Sequence, residues 1–86
     1  MITDEERKKL KKIFGAKHIT KIREFFVEKK IHSREGEPYS QSFVSRVFNG
    51  RDRHDVVETA IFDAAIDYKM KMQEQEDRRK EILSNV

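Results

Sequence analysis

The spacing of the apolar residues constrains this chain more than any other feature. Only 36% of its 86 residues are apolar and 41% are charged, against roughly 45–50% and 25% in an ordinary domain. A core drawn from so few residues must come from elements that turn one apolar face inward. Those residues recur at intervals of three and four. Leu10, Ile13 and Phe14 form one set. Ile19, Ile22, Phe25 and Phe26 form a second, with Val27 beside them. Val44, Val47 and Phe48 form a third, with Phe43 beside them. Val57, Ile61, Ala64, Ala65 and Tyr68 form a fourth, flanked by Val56, Ala60 and Met72. Such a period marks one face of an α-helix, whereas a half-buried strand alternates. Three Gly and one Pro are too few turn residues for an all-β chain. The expected fold is all-α.

Punctuation in the sequence sets the helix limits. Thr3 and Glu6 have capping-box spacing, and Gly15 suits the end of a helix over Asp4–Phe14. A second helix is predicted over Lys17–Lys30. The stretch Ile31–Pro38, with Ser33, Gly36 and Pro38, breaks the period and reads as a loop. Ser40 is a good N-cap for a short third helix closed by Asn49-Gly50. A fourth starts near Asp55. Residues 1–72 make the expected compact four-helix domain. Residues 73–86 form a polar tail whose only late apolar anchors are Ile82 and Leu83, read as a helical extension or a frayed end.

Most catalytic chemistry has no support here. There is no Cys, so no thiolate ligand, disulfide or cysteine nucleophile. His18, His32 and His54 show no i, i+4 pairing that would hold a metal. Asp63 and Asp67 share a helix with Lys69 and Lys71 and read as a solvated face. Gly15, Gly36 and Gly50 are too far apart to build a phosphate loop. No cofactor, metal, small-molecule substrate or enzymatic activity is expected. No apolar run approaches membrane-spanning length, and the first residues are charged where a signal peptide is apolar. A cytoplasmic, membrane-free protein is expected.

The charge is uneven. Residues 1–30 carry ten Lys or Arg against five acids, residues 61–86 carry five against six, and residues 38–51 hold two Arg and no acid. Lys8, Lys9, Lys11 and Lys12 fit a nucleic-acid patch or an ordinary solubilising face. The acid-free window is more telling. A helix there turns Gln41, Ser42, Ser45, Arg46 and Asn49 away from its apolar side. Short hydroxyls let a backbone approach phosphates, and Arg, Gln and Asn match guanine and adenine edges in the major groove.

The residues Tyr39-Ser40, Val44-Ser45-Arg46-Val47 and Asn49-Gly50 resemble the recognition-helix half of a lambda-repressor-like helix-turn-helix. They are similar to the Val-Ser-x-x-Thr-Val-Ser-Arg-Val-Leu-Asn pattern of lac-repressor-type domains and to small phage and bacterial regulators of the Cro type. The resemblance covers about thirteen residues. It implies that Tyr39, Val44 and Val47 are core and that Gln41, Ser42 and Arg46 read bases. It further implies that Ser40, Ser45 and Asn49 lie at the DNA backbone. Arg51, Arg53 and His54 follow the recognition helix where relatives hold phosphates, and Lys17, His18 and Thr20 start the scaffold helix, whose amides face a phosphate. Thr20 and His54 also suit helix capping. One departure stands out: Pro38 occupies the usual Gly position, so the turn is lengthened to include Ile31–Pro38.

The resulting expectation is a small transcriptional regulator that binds double-stranded DNA sequence-specifically with a recognition helix over 40–49. It would act as a homodimer through the C-terminal helix, with Met70, Met72, Ile82 and Leu83 as candidate contacts. Two alternatives stay open. The helix-turn-helix could serve protein–protein interaction, or the chain could be an antitoxin-like accessory protein whose tail holds a partner.

Overall fold

Thr3 opens the first helix with a reciprocal cap. Its Oγ1 accepts the Glu6 N–H at 3.2 Å, while Glu6 Oε1 accepts the Thr3 N–H at 3.0 Å. Helix α1 (Asp4–Phe14) then runs to Gly15, whose N–H bonds the Lys11 carbonyl. Helix α2 (His18–Glu28) follows, then α3 (Gln41–Phe48) and α4 (Asp55–Ser84). These limits come from a computed structural model that describes residues 1–84. No strand occurs among the described residues, and no helix is long and apolar enough to cross a membrane.

The second helix is shorter than its apolar period suggests. Lys17 sits in the left-handed region as its N-cap, and the helix ends at Glu28, not Lys30. Lys30, at φ 57°, takes the left-handed position normally given to Gly. The Lys30 N–H bonds the Val27 carbonyl and the Ile31 N–H bonds the Phe26 carbonyl, the double closure of a Schellman motif. Ile31, packed against the core and lining one cavity with Phe26, stands where the apolar contact that usually accompanies it belongs. The loop that follows is tightened by the Gly36 N–H to Ser33 carbonyl bond and the Ser33 N–H to Glu37 carbonyl bond, both 2.9 Å.

The core joins Leu10 and Phe14 of α1, Ile22 and Phe26 of α2, Val44, Val47 and Phe48 of α3, and Val57, Ala60, Ile61, Ala64 and Ala65 of α4. Ile2, ahead of α1, is buried with them. Phe25 and Tyr68 are only half-buried, whereas Val27 and Val56 face solvent. Helix α4 packs on each of the other three. Lys21 ties three elements together, its Nζ donating to the Phe14 carbonyl and to the Tyr68 hydroxyl.

Helix α4 has 30 residues, about 45 Å at 1.5 Å per residue, and it outruns the body. Among the described residues, the last ion pair joining it to another helix is Lys71–Glu28, at 3.3 Å. Residues 73–84 are helical and exposed throughout. The end of the expected tail, residues 85 and 86, lies outside the described residues.

Candidate nucleic-acid interface

Helix α3 is short, so its two caps matter. Ser40 Oγ accepts the Phe43 N–H at 3.1 Å. At the other end the Gly50 N–H reaches the Val47 carbonyl and the Arg51 N–H reaches the Arg46 carbonyl, at 3.1 and 2.9 Å. Val44, Val47 and Phe48 are fully buried. On the opposite side Gln41, Ser42 and Arg46 are exposed, with Ser45 and Asn49 half-buried beside them. The three residues expected to read bases therefore share one solvent-facing side.

The closing turn changes the electrostatics of that side. It reverses the chain, and Asp52 Oδ2 accepts from Arg46 Nε at 2.8 Å. The Arg46 guanidinium also lies 5.8 Å from the centre of the Phe43 ring. Thus the window that holds no acid in sequence gains one in space from the residue just past its end.

The other expected contacts divide between free groups and groups engaged in the fold. Asn49 Nδ2 donates to Ser45, to the carbonyl at 2.9 Å and to Oγ at 3.2 Å. Ser40 is the N-cap of α3. His54 caps α4: its Nδ1 accepts the Val57 N–H at 3.2 Å, and its own N–H donates to Glu58 Oε2 at 3.0 Å. The His54 ring is further held edge-on by Tyr39 and Phe43 at 5.5 and 5.4 Å. Arg53 lies 3.7 Å from Asp55, both well exposed. Arg51 is exposed and has no ion pair among the described residues. Lys17 and Thr20 are exposed at the start of α2, and no side chain caps that helix. The start of α2 meets the end of α3, where the His18 ring lies 4.7 Å from the Phe48 ring. Burial there lowers the His18 pKa from its ordinary value, and the Lys11 charge adds to the effect.

Arg7, to which the sequence assigned no role, also belongs to this region. Its Nη1 donates to the Asn49 carbonyl at 2.7 Å, placing a positive charge at the negative end of the α3 dipole. Asp52 is the second such residue. The Asn49-Gly50 pair was the available signal for it, because a chain that reverses after Gly50 must bring its next residues back beside the last turn of the helix. Among the described residues no group of three or more His, Asp or Glu side chains could hold a metal ion.

Comparison with protein-family models, with curated proteins and with solved structures finds no match to this chain.

Proposed function

We propose that this chain binds double-stranded DNA sequence-specifically through α3, as a small transcriptional regulator built on a lambda-repressor-like helix-turn-helix. In this reading α2 is the scaffold helix and the segment 29–40 is a lengthened turn. One observation carries the proposal: Gln41, Ser42 and Arg46 share the solvent side of a helix that contains no carboxylate of its own. Gln41 and Arg46 read base edges and Ser42 assists. Arg51 and Arg53 hold phosphates, with Lys17 and Thr20 at the start of α2. Ser40, Ser45 and Asn49 lie close to the backbone. His54 contributes by fixing the entry to α4. A second copy bound through the exposed Met70, Met72, Ile82 and Leu83 of α4 would supply the other half-site.

A second reading, protein–protein interaction through the same face, is favoured by one specific observation, the Arg46–Asp52 pair. The magnitudes favour DNA. Arg46 and Asp52 are 51% and 39% exposed, and an exposed ion pair contributes only about 0–1 kcal/mol. A good bidentate contact to a base discriminates by about 1–3 kcal/mol, so the pair does not withhold Arg46 from DNA.

Fluorescence anisotropy with duplex DNA at about 50 and 200 mM salt tests the reading. Binding should weaken steeply at the higher salt. On a site selected from random sequence, Arg46→Ala should cost roughly 1–3 kcal/mol. Absence of duplex binding at the lower salt would overturn the proposal and favour the protein partner.

A further inference from the structure

Arg46 is gripped at both its backbone and its side chain by the turn that follows it. Its carbonyl accepts from the N–H of Arg51 at 2.9 Å and of Asp52 at 3.4 Å, while its Nε donates to Asp52 Oδ2 at 2.8 Å. The turn has little freedom of its own. Gly50 takes φ 74°, and a Cβ there would lie 2.7 Å from the Ile2 carbonyl oxygen, so the chain is pressed against the segment that buries Ile2. The Phe43 ring lies close to the same guanidinium. The hydrogen bond uses Nε alone, and neither Nη group donates to a protein acceptor among the described residues. The terminal fork is left to solvent.

That division of labour has a chemical consequence. A guanidinium presents five donors in one plane, and its two Nη groups match O6 and N7 of guanine. An unrestrained arginine must be ordered when it meets a base, at an entropic cost. One already held through Nε has less freedom to lose, and its fork points in one direction. We propose that Asp52 is a positioning residue that acts through Arg46, presetting its fork for a guanine in the major groove. Asp52 thereby sharpens which base α3 prefers without adding to the affinity for DNA of any sequence. The inference rests on the reading of α3 as the DNA-contacting helix. Because the Asp52 carboxylate itself repels phosphate, its effects on affinity and on discrimination have opposite signs and can be separated.

The experiment compares wild type, Asp52→Ala and Asp52→Asn on three duplexes: the site selected by wild type, the same site with the contacted guanine replaced, and random sequence. Replacing the guanine should weaken wild-type binding by roughly tenfold to a hundredfold. Asp52→Ala should bind random duplex at least as tightly as wild type, yet lose up to about fivefold of that discrimination, the most an exposed ion pair supplies. Asp52→Asn, whose amide oxygen can still accept from Nε, should keep part of it. Without DNA, the Arg46 Nε–H resonance should exchange with water more slowly in wild type than in Asp52→Ala. Equal discrimination by wild type and Asp52→Ala, or an Nε–H resonance unmoved by the substitution, overturns this inference alone. A wild type with no salt-dependent duplex binding overturns the reading of α3 and the inference with it.

Discussion

Helix α3 and the outer part of α4 are both helical for reasons that have almost nothing in common. Helix α3 has eight residues, too few to persist alone in water. It is held from outside by the Ser40 cap, by three buried side chains, by the Schellman closure at Gly50 and by Arg7 on the Asn49 carbonyl. Residues 73–84 are exposed throughout and add no buried side chain to the core. They extend a helix already nucleated in the body, so no new nucleation cost arises, and they are laced by Arg78–Glu74 and Lys80–Glu76 pairs one turn apart. A face that must meet another molecule in one geometry belongs on the first kind of helix. The second kind is free to be long and charged, and it leaves Ile82 and Leu83 exposed for a second copy.

The sharpest way to break this contrast is to empty the core beneath α3. Phe48→Ala should cost about 3–5 kcal/mol in a urea titration, and the whole body should unfold together, because Phe48 is fully buried. Loss of α3 alone, with α1, α2 and α4 intact, would show that the helix is an appendage. Next in size, Gly50→Ala places a Cβ against the Ile2 carbonyl at positive φ and should cost about 1–3 kcal/mol. The same titration reads it. His54→Ala should cost about 0.5–2 kcal/mol, the usual range for an N-cap. Its amide exchange should quicken at Val57 before it does at Leu10.

Ending the chain after Met72 should have almost no effect on the body, within about 0.5 kcal/mol in dilute solution, although the far-UV helical signal falls. A loss of stability that grows with protein concentration would sharpen the comparison differently, by marking a second copy on Ile82 and Leu83. The smallest effects are those of pH. Burial depresses the His18 pKa in the folded chain, so its contribution is present above about pH 6.5 and is lost as pH falls through the folded value. Glu6 is lowered by the hydrogen bond from the Thr3 backbone, and Glu58 by one from the Met1 ammonium. Both contributions are present above the ordinary carboxylate range and vanish as pH falls below it. Thermal melts across acid pH should therefore show a shallow decline beginning near the histidine range, with that first step absent in His18→Gln.

What could be read in the sequence follows from how local each cause is. The limits of α1 depend on Thr3, Glu6 and Gly15, all within the helix or next to it, and they agree with the structure. The caps of α3, Ser40 and Asn49-Gly50, are equally local. Helix α2 ends at Glu28, short of the predicted Lys30, because Lys30 does a task normally done by Gly, with Ile31 packed against the core beyond it. Burial of Ile2 is not legible in the sequence, because one apolar residue ahead of a helix carries no period. Arg7 and Asp52 reach the α3 region only through the folded chain, Arg7 from 42 residues away. The side-chain chemistry of α3 and the Val44-Ser45-Arg46-Val47 resemblance are local too, and together they specify the face proposed to meet DNA.

The most direct test maps that face. Amide chemical shifts of the labelled protein would be followed at low salt as a duplex about two helical turns long is added. The largest changes should fall at Gln41, Ser42, Ser45, Arg46 and Arg51, with smaller ones at Lys17 and Thr20, and residues 73–84 should stay in place. Changes confined to the lysines of α1 or to the α4 extension, or none at all, would contradict the assignment of DNA binding to α3.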